Sequence, residues 1–245
     1  MTRGDETSTG PVEPARAIAV VGMHRSGTSA ITGSLAEAGV YLGNVLGHSI
    51  VHNRKGLQEP EALVFMHENL LRFNGGSWDN PPQTIKWDRL HTSVRDLFLE
   101  SRRNFRPWAF KDPRTLLVLE GWLEACPDLF LTGIFRHPLL VAQSLQRRNG
   151  FSIMKGLDLW QVYNQRLIEW SSRASVPIIE FTHESIAMQS RLVAIRAMIG
   201  LTSVKPSTFY DAAIPAQFPP QEYKLPSEIE RLYQGLKEIA IDPQR

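Results

Sequence analysis

The sequence predicts an α/β protein of three α/β/α layers around a mainly parallel central sheet, and three observations predict it. Short apolar runs bounded by glycine or proline recur along the chain, as expected of strands buried on both faces. Segments of helical period separate them, and strands alternating with helices call for crossover connections and a parallel sheet. The chain has 245 residues and is 42% hydrophobic, enough to bury the core of one domain.

The elements follow in order. Residues 1–15 are polar with no apolar core, which reads as a flexible tail and not a signal peptide. Residues 16–245 are expected to form a single domain. Ala17 to Val21 is the first strand, and Gly22 to Gly27 a glycine-bracketed turn before a helix over Thr28–Ala38. Residues 36–59, rich in Gly, Asn and His, read as a long loop. Pro60 suits the first position of a helix whose apolar face is Leu63, Met66, Leu70 and Phe73. After a loop at Asn74–Gln83, a helix is expected near Leu90–Arg102 and a second strand at Trp108–Lys111. A helix over Thr115–Ala125 and a third strand at Leu129–Phe135 come next, followed by a helix over Pro138–Arg148. The long amphipathic helix Gly156–Arg173 turns Leu157, Trp160, Tyr163, Leu167 and Trp170 to one side. Pro177–Phe181 is a fourth strand, and Glu184–Ile199 a helix stopped by Gly200. Residues 202–226 hold five prolines and read as an extended wrap. A last helix is expected over 227–240.

Composition excludes several classes. With 27 basic against 25 acidic residues there is no cationic excess of the kind nucleic-acid binders carry. Cys126 is the only cysteine, so neither an intrachain disulfide nor a cysteine metal cluster is available, and a reducing, cytoplasmic setting is expected. No apolar run is long enough to span a bilayer. No His, Asp or Glu grouping has metal-ligand spacing, so no metal is implied.

In such folds ligands gather just beyond the carboxyl ends of strands. The segment GMHRSGTS, Gly22 to Ser29, stands there after the first strand. Glycines let the backbone turn tightly, and successive N–H groups at a helix N-terminus converge on phosphate oxygens. His24, Arg25, Ser26, Gly27, Thr28 and Ser29 are therefore candidate anion ligands. The spacing matches a P-loop except that Thr28 replaces the lysine an ATP-hydrolysing loop requires. A second motif, FRHPLLVAQS, follows the third strand. Arg136 ends that strand, where its guanidinium can fork onto phosphate, Ser144 lies two turns into the next helix, and Arg148 one turn further.

Together the two motifs resemble the sulfotransferases that use 3′-phosphoadenosine-5′-phosphosulfate. The resemblance implies a nucleoside-kinase-like P-loop fold in which the first loop holds the 5′-phosphosulfate, while an Arg and a Ser eight positions on, here Arg136 and Ser144, hold the 3′-phosphate. It also implies that Arg25 contacts the bridging oxygen. The segments Asn53–Glu59, Trp108–Arg114 and Leu159–Tyr163 are similar to a bacterial branch of that family, and the likeness spans residues 17–200. Two features differ from cytosolic animal members: Ala30 replaces the aromatic that stacks on adenine, and their glycine-rich basic C-terminal segment is missing. Phe181, ending the fourth strand, is the candidate for that stacking.

Sulfuryl transfer needs in-line positioning, charge stabilisation and a base for the acceptor hydroxyl. Glu59, Asp112, His24 and His52 are candidate bases. Glycan and protein-tyrosine members place a catalytic glutamate in the region of Glu59. Cytosolic members use a histidine shortly after a lysine that Lys111 matches, but Pro113 occupies that histidine's place. Lys111 and Arg114 are candidate stabilisers of the moving sulfonate. The acceptor implied is a carbohydrate, glycolipid or small natural product. Loops at 41–58, 74–87 and 149–155 are expected to line its site, with Trp78, Trp87 and Phe151 as stacking candidates. A P-loop kinase or nucleotide hydrolase, or a noncatalytic nucleotide-binding protein, are the alternatives. Oligomeric state is not readable.

Overall fold

The computed structural model describes residues 17–46, 56–202, 205–209 and 223–243. The expected tail at 1–15, the candidate base His52 and most of the proline-rich wrap lie outside them.

Four parallel strands form the sheet in the order β2-β1-β3-β4. The strands are β1 (Ala17–Val21), β2 (Trp108–Lys111), β3 (Phe130–Phe135) and β4 (Ile178–Glu180). β1 is AIAVV and wholly buried, as a central strand covered on both faces must be. It aligns Val20 with Lys111 on one side and Val21 with Gly133 on the other.

The strand's alternation sorts the helices into two layers. Ile18 and Val20 join the apolar cluster that contains α1 (Thr28–Glu37) and the later helix Ser185–Met198. Ala17, Ala19 and Val21 join the larger cluster on the opposite face. That cluster takes in α2 (Glu61–Phe73), α3 (Arg89–Arg102), α4 (Leu119–Ala125), α5 (Pro138–Asn149) and α6 (Ile153–Ala174). With Ser185–Met198 as α7, the terminal helix is α8 (Ser227–Ile239), which also packs on this side.

Local chemistry sets the helix ends. Asp88 caps α3 by accepting the His91 N–H, Ser152 caps α6 by accepting the Lys155 N–H, and Pro138 starts α5, where its missing N–H costs nothing.

Two expectations are corrected. The helix expected over Thr115–Ala125 is two pieces, a 3-10 turn at Pro113–Leu117 and then α4. Asp112 nucleates the turn by accepting the Arg114 N–H, and Val118, at φ −124 and ψ 21, breaks it from α4. Phe73 does not join the buried face of α2: it is 54% exposed, with its ring 5.7 Å from His91. It is the helix's last residue, beyond the point where α2 faces the core. Among the described residues no helix is long and apolar enough to cross a membrane.

Candidate active site

The order β2-β1-β3 makes the gap beyond β1 and β3 the point where successive connections diverge, the place where such sheets open a crevice. The loop after β1 and the start of α5 both lie there.

The loop Gly22–Gly27 turns through positive φ at Gly22, Arg25 and Gly27. Arg25 has φ 69 and Gly27 φ 95. A Cβ on Gly27 would lie 2.3 Å from Phe181 Cδ2, so only glycine lets the loop press against the end of β4. The Ser26 N–H donates to the Met23 carbonyl at 3.2 Å, and the Ser26 hydroxyl is buried without a partner among the described residues. Alternating hands of backbone at a helix start form a concavity of N–H groups that suits an anion. Thr28 is buried at the first turn, and the Ser29 hydroxyl donates to the Leu57 carbonyl at 3.3 Å.

Arg25 crosses from this loop to α5, its Nε donating to Ser144 Oγ at 2.8 Å. Arg136, at the end of β3, lays its guanidinium over the Phe181 ring at 5.2 Å and donates from Nη2 to His183 Nε2 at 2.9 Å. Arginine has only donors, so His183 accepts there and carries its ring proton on Nδ1. The Trp160 indole donates to the Arg136 carbonyl at 2.8 Å and fixes the strand's end. Burial lowers Arg25 to about 10, with repulsion from Arg148 and Arg147 adding to it. Burial also lowers Arg136 to about 10, and there the added repulsion comes from Arg25 and Arg147. The two arginines therefore share one cationic region, and a bound polyanion would relieve its repulsion. Both guanidiniums and the Ser26 hydroxyl could hold anionic oxygens.

Beside the loop stands a buried cluster of opposite charges. Glu59 precedes α2 and is 5% exposed. Its Oε1 accepts from Lys111 Nζ at 2.7 Å, while its Oε2 is 4.0 Å from Arg114 Nη1. Lys111 also donates to the Leu57 carbonyl, the same oxygen that takes Ser29. That shared carbonyl ties Glu59 to the phosphate loop. Burial pushes Glu59 above its ordinary value; Lys111 opposes this and the Asp112 charge adds to it. Burial pushes Lys111 down, which Glu59 only partly offsets.

Asp112 is fully buried, with Oδ1 accepting from Arg114 Nη1 at 2.8 Å and from its N–H at 3.1 Å, and Oδ2 paired with His67 Nδ1 at 2.8 Å. Burial alone would raise this carboxyl, but Arg114 and His67 outweigh it and hold it well below the usual range. Both oxygens of Asp112 are therefore engaged, and it is positioned to orient Arg114.

His24 is buried, its ring 4.6 Å from Trp78 and 6.1 Å from Tyr163. Burial, then the charges of Arg114 and Arg148, push it well below its ordinary value, so it is a poor base. Arg148 lies over Trp78 at 5.2 Å and feels Glu59 and Arg114, which puts it on the Glu59 side of the loop. Phe151 stands 5.9 Å from Trp78. Trp87 does not join them: it packs against Gly121 and Trp122, with Arg95 over its ring.

The structure thus brings Arg25, Ser26, Gly27, Thr28, Ser29, Arg136, Ser144 and Phe181 around one end, while the His24 side chain lies at the other with Glu59, Lys111, Asp112 and Arg148. Sequence reasoning missed His67, Glu68 and His183. A signal existed for His67: it falls inside the Leu63–Met66–Leu70 stripe, where a polar side chain must find a buried partner.

No family model matches the chain, and no curated protein does. Among solved structures, the sulfotransferase domain of the Synechococcus PCC 7002 olefin synthase superposes with a TM-score of 0.53 at 17% identity, over 92% of this chain and 95% of that one. Sulfotransferase STF1 from Mycobacterium tuberculosis H37Rv gives a TM-score of 0.43 at 14% identity, over 91% of this chain and 72% of that one. The first superposition defines the fold: a parallel α/β sheet flanked by helices, in the arrangement of a sulfotransferase domain.

Proposed function

We propose that this chain is a bacterial sulfotransferase, one catalytic domain over residues 16–245 acting in the cytoplasm. It moves the sulfuryl group of 3′-phosphoadenosine-5′-phosphosulfate to a hydroxyl of a carbohydrate, glycolipid or small natural product. The observation that carries the reading is the bond from Arg25 Nε to Ser144 Oγ, which joins the loop after β1 to the helix after β3 at one cationic crevice. A nucleotide with phosphates on both its 5′ and 3′ positions needs two such grips, whereas ATP and AMP need one.

In this reading the loop N–H groups and Thr28 hold the 5′ end, Arg136 with Ser144 holds the 3′-phosphate, and Arg25, bonded to Ser144, reaches from that grip to the oxygen bridging sulfur and phosphorus. Phe181 and His183 border the adenosine. Glu59, kept basic by burial, takes the proton of the acceptor hydroxyl as that oxygen bonds to sulfur. The bond from sulfur to the 5′-phosphate oxygen breaks, and adenosine 3′,5′-bisphosphate leaves with its new charge on the loop N–H groups. Lys111, Arg114 and Arg148 face the transferring group. Asp112 is a positioning residue, which also weighs against a kinase reading, because an aspartate whose oxygens are all engaged is a poor magnesium ligand.

Titration calorimetry tests the proposal. Adenosine 3′,5′-bisphosphate should bind far more tightly than AMP or ATP, and equal affinities would sink it.

A further inference from the structure

One turn of α2 aims two adjacent side chains at the turn Asp112–Arg114. His67 Nδ1 meets Asp112 Oδ2 at 2.8 Å, and Glu68 Oε1 accepts from Arg114 Nη2 at 2.8 Å. The Trp122 indole can only donate, so its 2.9 Å contact with His67 Nε2 leaves the ring proton on Nδ1, pointed at Asp112. Asp112 is thereby held from behind while its other oxygen grips Arg114 Nη1 at 2.8 Å.

Arg114 is drawn in two directions, and neither is toward Glu59. Its Nη1 stops 4.0 Å from Glu59 Oε2, beyond hydrogen-bond reach. A guanidinium and a carboxylate this close would otherwise close into a short charged pair. We propose that Glu68, together with Asp112 anchored by His67, holds Arg114 away from Glu59 and so leaves Glu59 Oε2 open to an acceptor hydroxyl. The inference rests on Glu59 being the base of the reaction proposed above.

The charged groups that face Glu59 are Lys111 from β2, Asp112 and Arg114 from the turn that follows, and Arg148 from α5. Lys111 is already spent on Oε1, so Arg114 is the cation whose approach would quench the second oxygen. Arg114 already lowers the Glu59 carboxyl from 4.0 Å, and closing to hydrogen-bond contact would lower it further. Glu68 touches Arg114 from the outer side and is 33% exposed, so it can be changed without opening the core.

The test is a carbon-13 NMR titration of the full-length protein labelled in its glutamate carboxyls, with the Glu59 signal assigned by its loss in Glu59→Gln. In Glu68→Ala the Glu59 midpoint should fall measurably as Arg114 closes from 4.0 Å into contact. In Glu68→Gln, which keeps an acceptor oxygen on Arg114 but not the charge, the fall should be smaller. An unmoved midpoint in Glu68→Ala overturns the proposal, and so do equal shifts in the two variants, which loss of charge alone would produce. The same samples titrated with adenosine 3′,5′-bisphosphate and AMP separate the two levels. Wild-type protein that does not prefer the bisphosphate refutes the sulfotransferase reading, while the Glu59 midpoints still decide whether Glu68 places Arg114.

Discussion

Arg25 Nε donates to Ser144 Oγ at 2.8 Å across 119 residues of sequence, joining the loop after β1 to α5 side chain to side chain. Arg25 belongs to the loop by its backbone and to the second grip by its guanidinium. One residue therefore couples the loop after β1 to α5.

Arg136→Ala should weaken adenosine 3′,5′-bisphosphate and leave AMP nearly untouched. A charged hydrogen bond contributes about 1.5–3 kcal/mol, so the expected loss is roughly ten- to a hundredfold in affinity. Ser144→Ala should lose less, because Ser144 is a neutral partner. Parallel losses for AMP and the bisphosphate would mean that Arg136 supports the fold and not the 3′-phosphate.

Glu59→Gln should abolish sulfuryl transfer and preserve nucleotide affinity. Burial raises this carboxyl above its ordinary value of 4.5, and the base must be ionised to work. The rate of the wild type should therefore fall as pH drops through a midpoint above that value, on a limb absent from any residual Glu59→Gln activity. A retained rate in the variant would remove Glu59 from the chemistry.

The loop's tolerance for side chains divides two glycines of similar backbone. Gly27 has φ 95 and Gly39 φ 91, but a Cβ on Gly39 meets nothing within 4 Å, whereas one on Gly27 meets the Phe181 ring. Both alanine variants carry the cost of left-handed backbone, about 1–2 kcal/mol. Only Gly27→Ala should also lose bisphosphate binding, since it pushes the loop off the end of β4. Equal binding by the two variants would detach the loop from the ligand.

Much of this architecture was legible because its cues are local. Trp108–Lys111 is an apolar run cut off by Pro113, and α5 begins at Pro138 and stops at Gly150, so period and punctuation gave those elements nearly residue by residue. The break at Val118 was not legible, since the apolar run Leu116–Leu119 continues straight through it and only the Asp112 cap makes the first turn separate. The two motifs that flank the crevice, Gly22–Ser29 and Phe135–Ser144, could be read from glycine, arginine and hydroxyl spacing. Their bond through Arg25 could not, and neither could the pairing of His67 with Asp112 across 45 residues, because such contacts are chosen by packing and not by period.

Asp112 should matter to stability more than any other carboxylate of the site. It is fully buried, and its partner Arg114 is nearly so. Removing one member of a buried pair costs up to about 3–5 kcal/mol, less here because Arg114 keeps Glu68 at 2.8 Å while His67 loses its partner. Asp112→Ala should lose stability short of that limit in urea unfolding, and Asp112→Asn, which keeps an oxygen for Arg114, should lose less. The pH dependence has a definite sign. Because Arg114 and His67 depress the carboxyl in the folded state, its contribution is fully present above the unfolded value of about 3.9 and disappears as pH falls below it toward the folded value. Wild-type protein should therefore lose stability below about pH 4 more steeply than Asp112→Asn does. Parallel acid-unfolding curves for the two would show that Asp112 carries no such coupling, and that Arg114 is held in place by Glu68 alone.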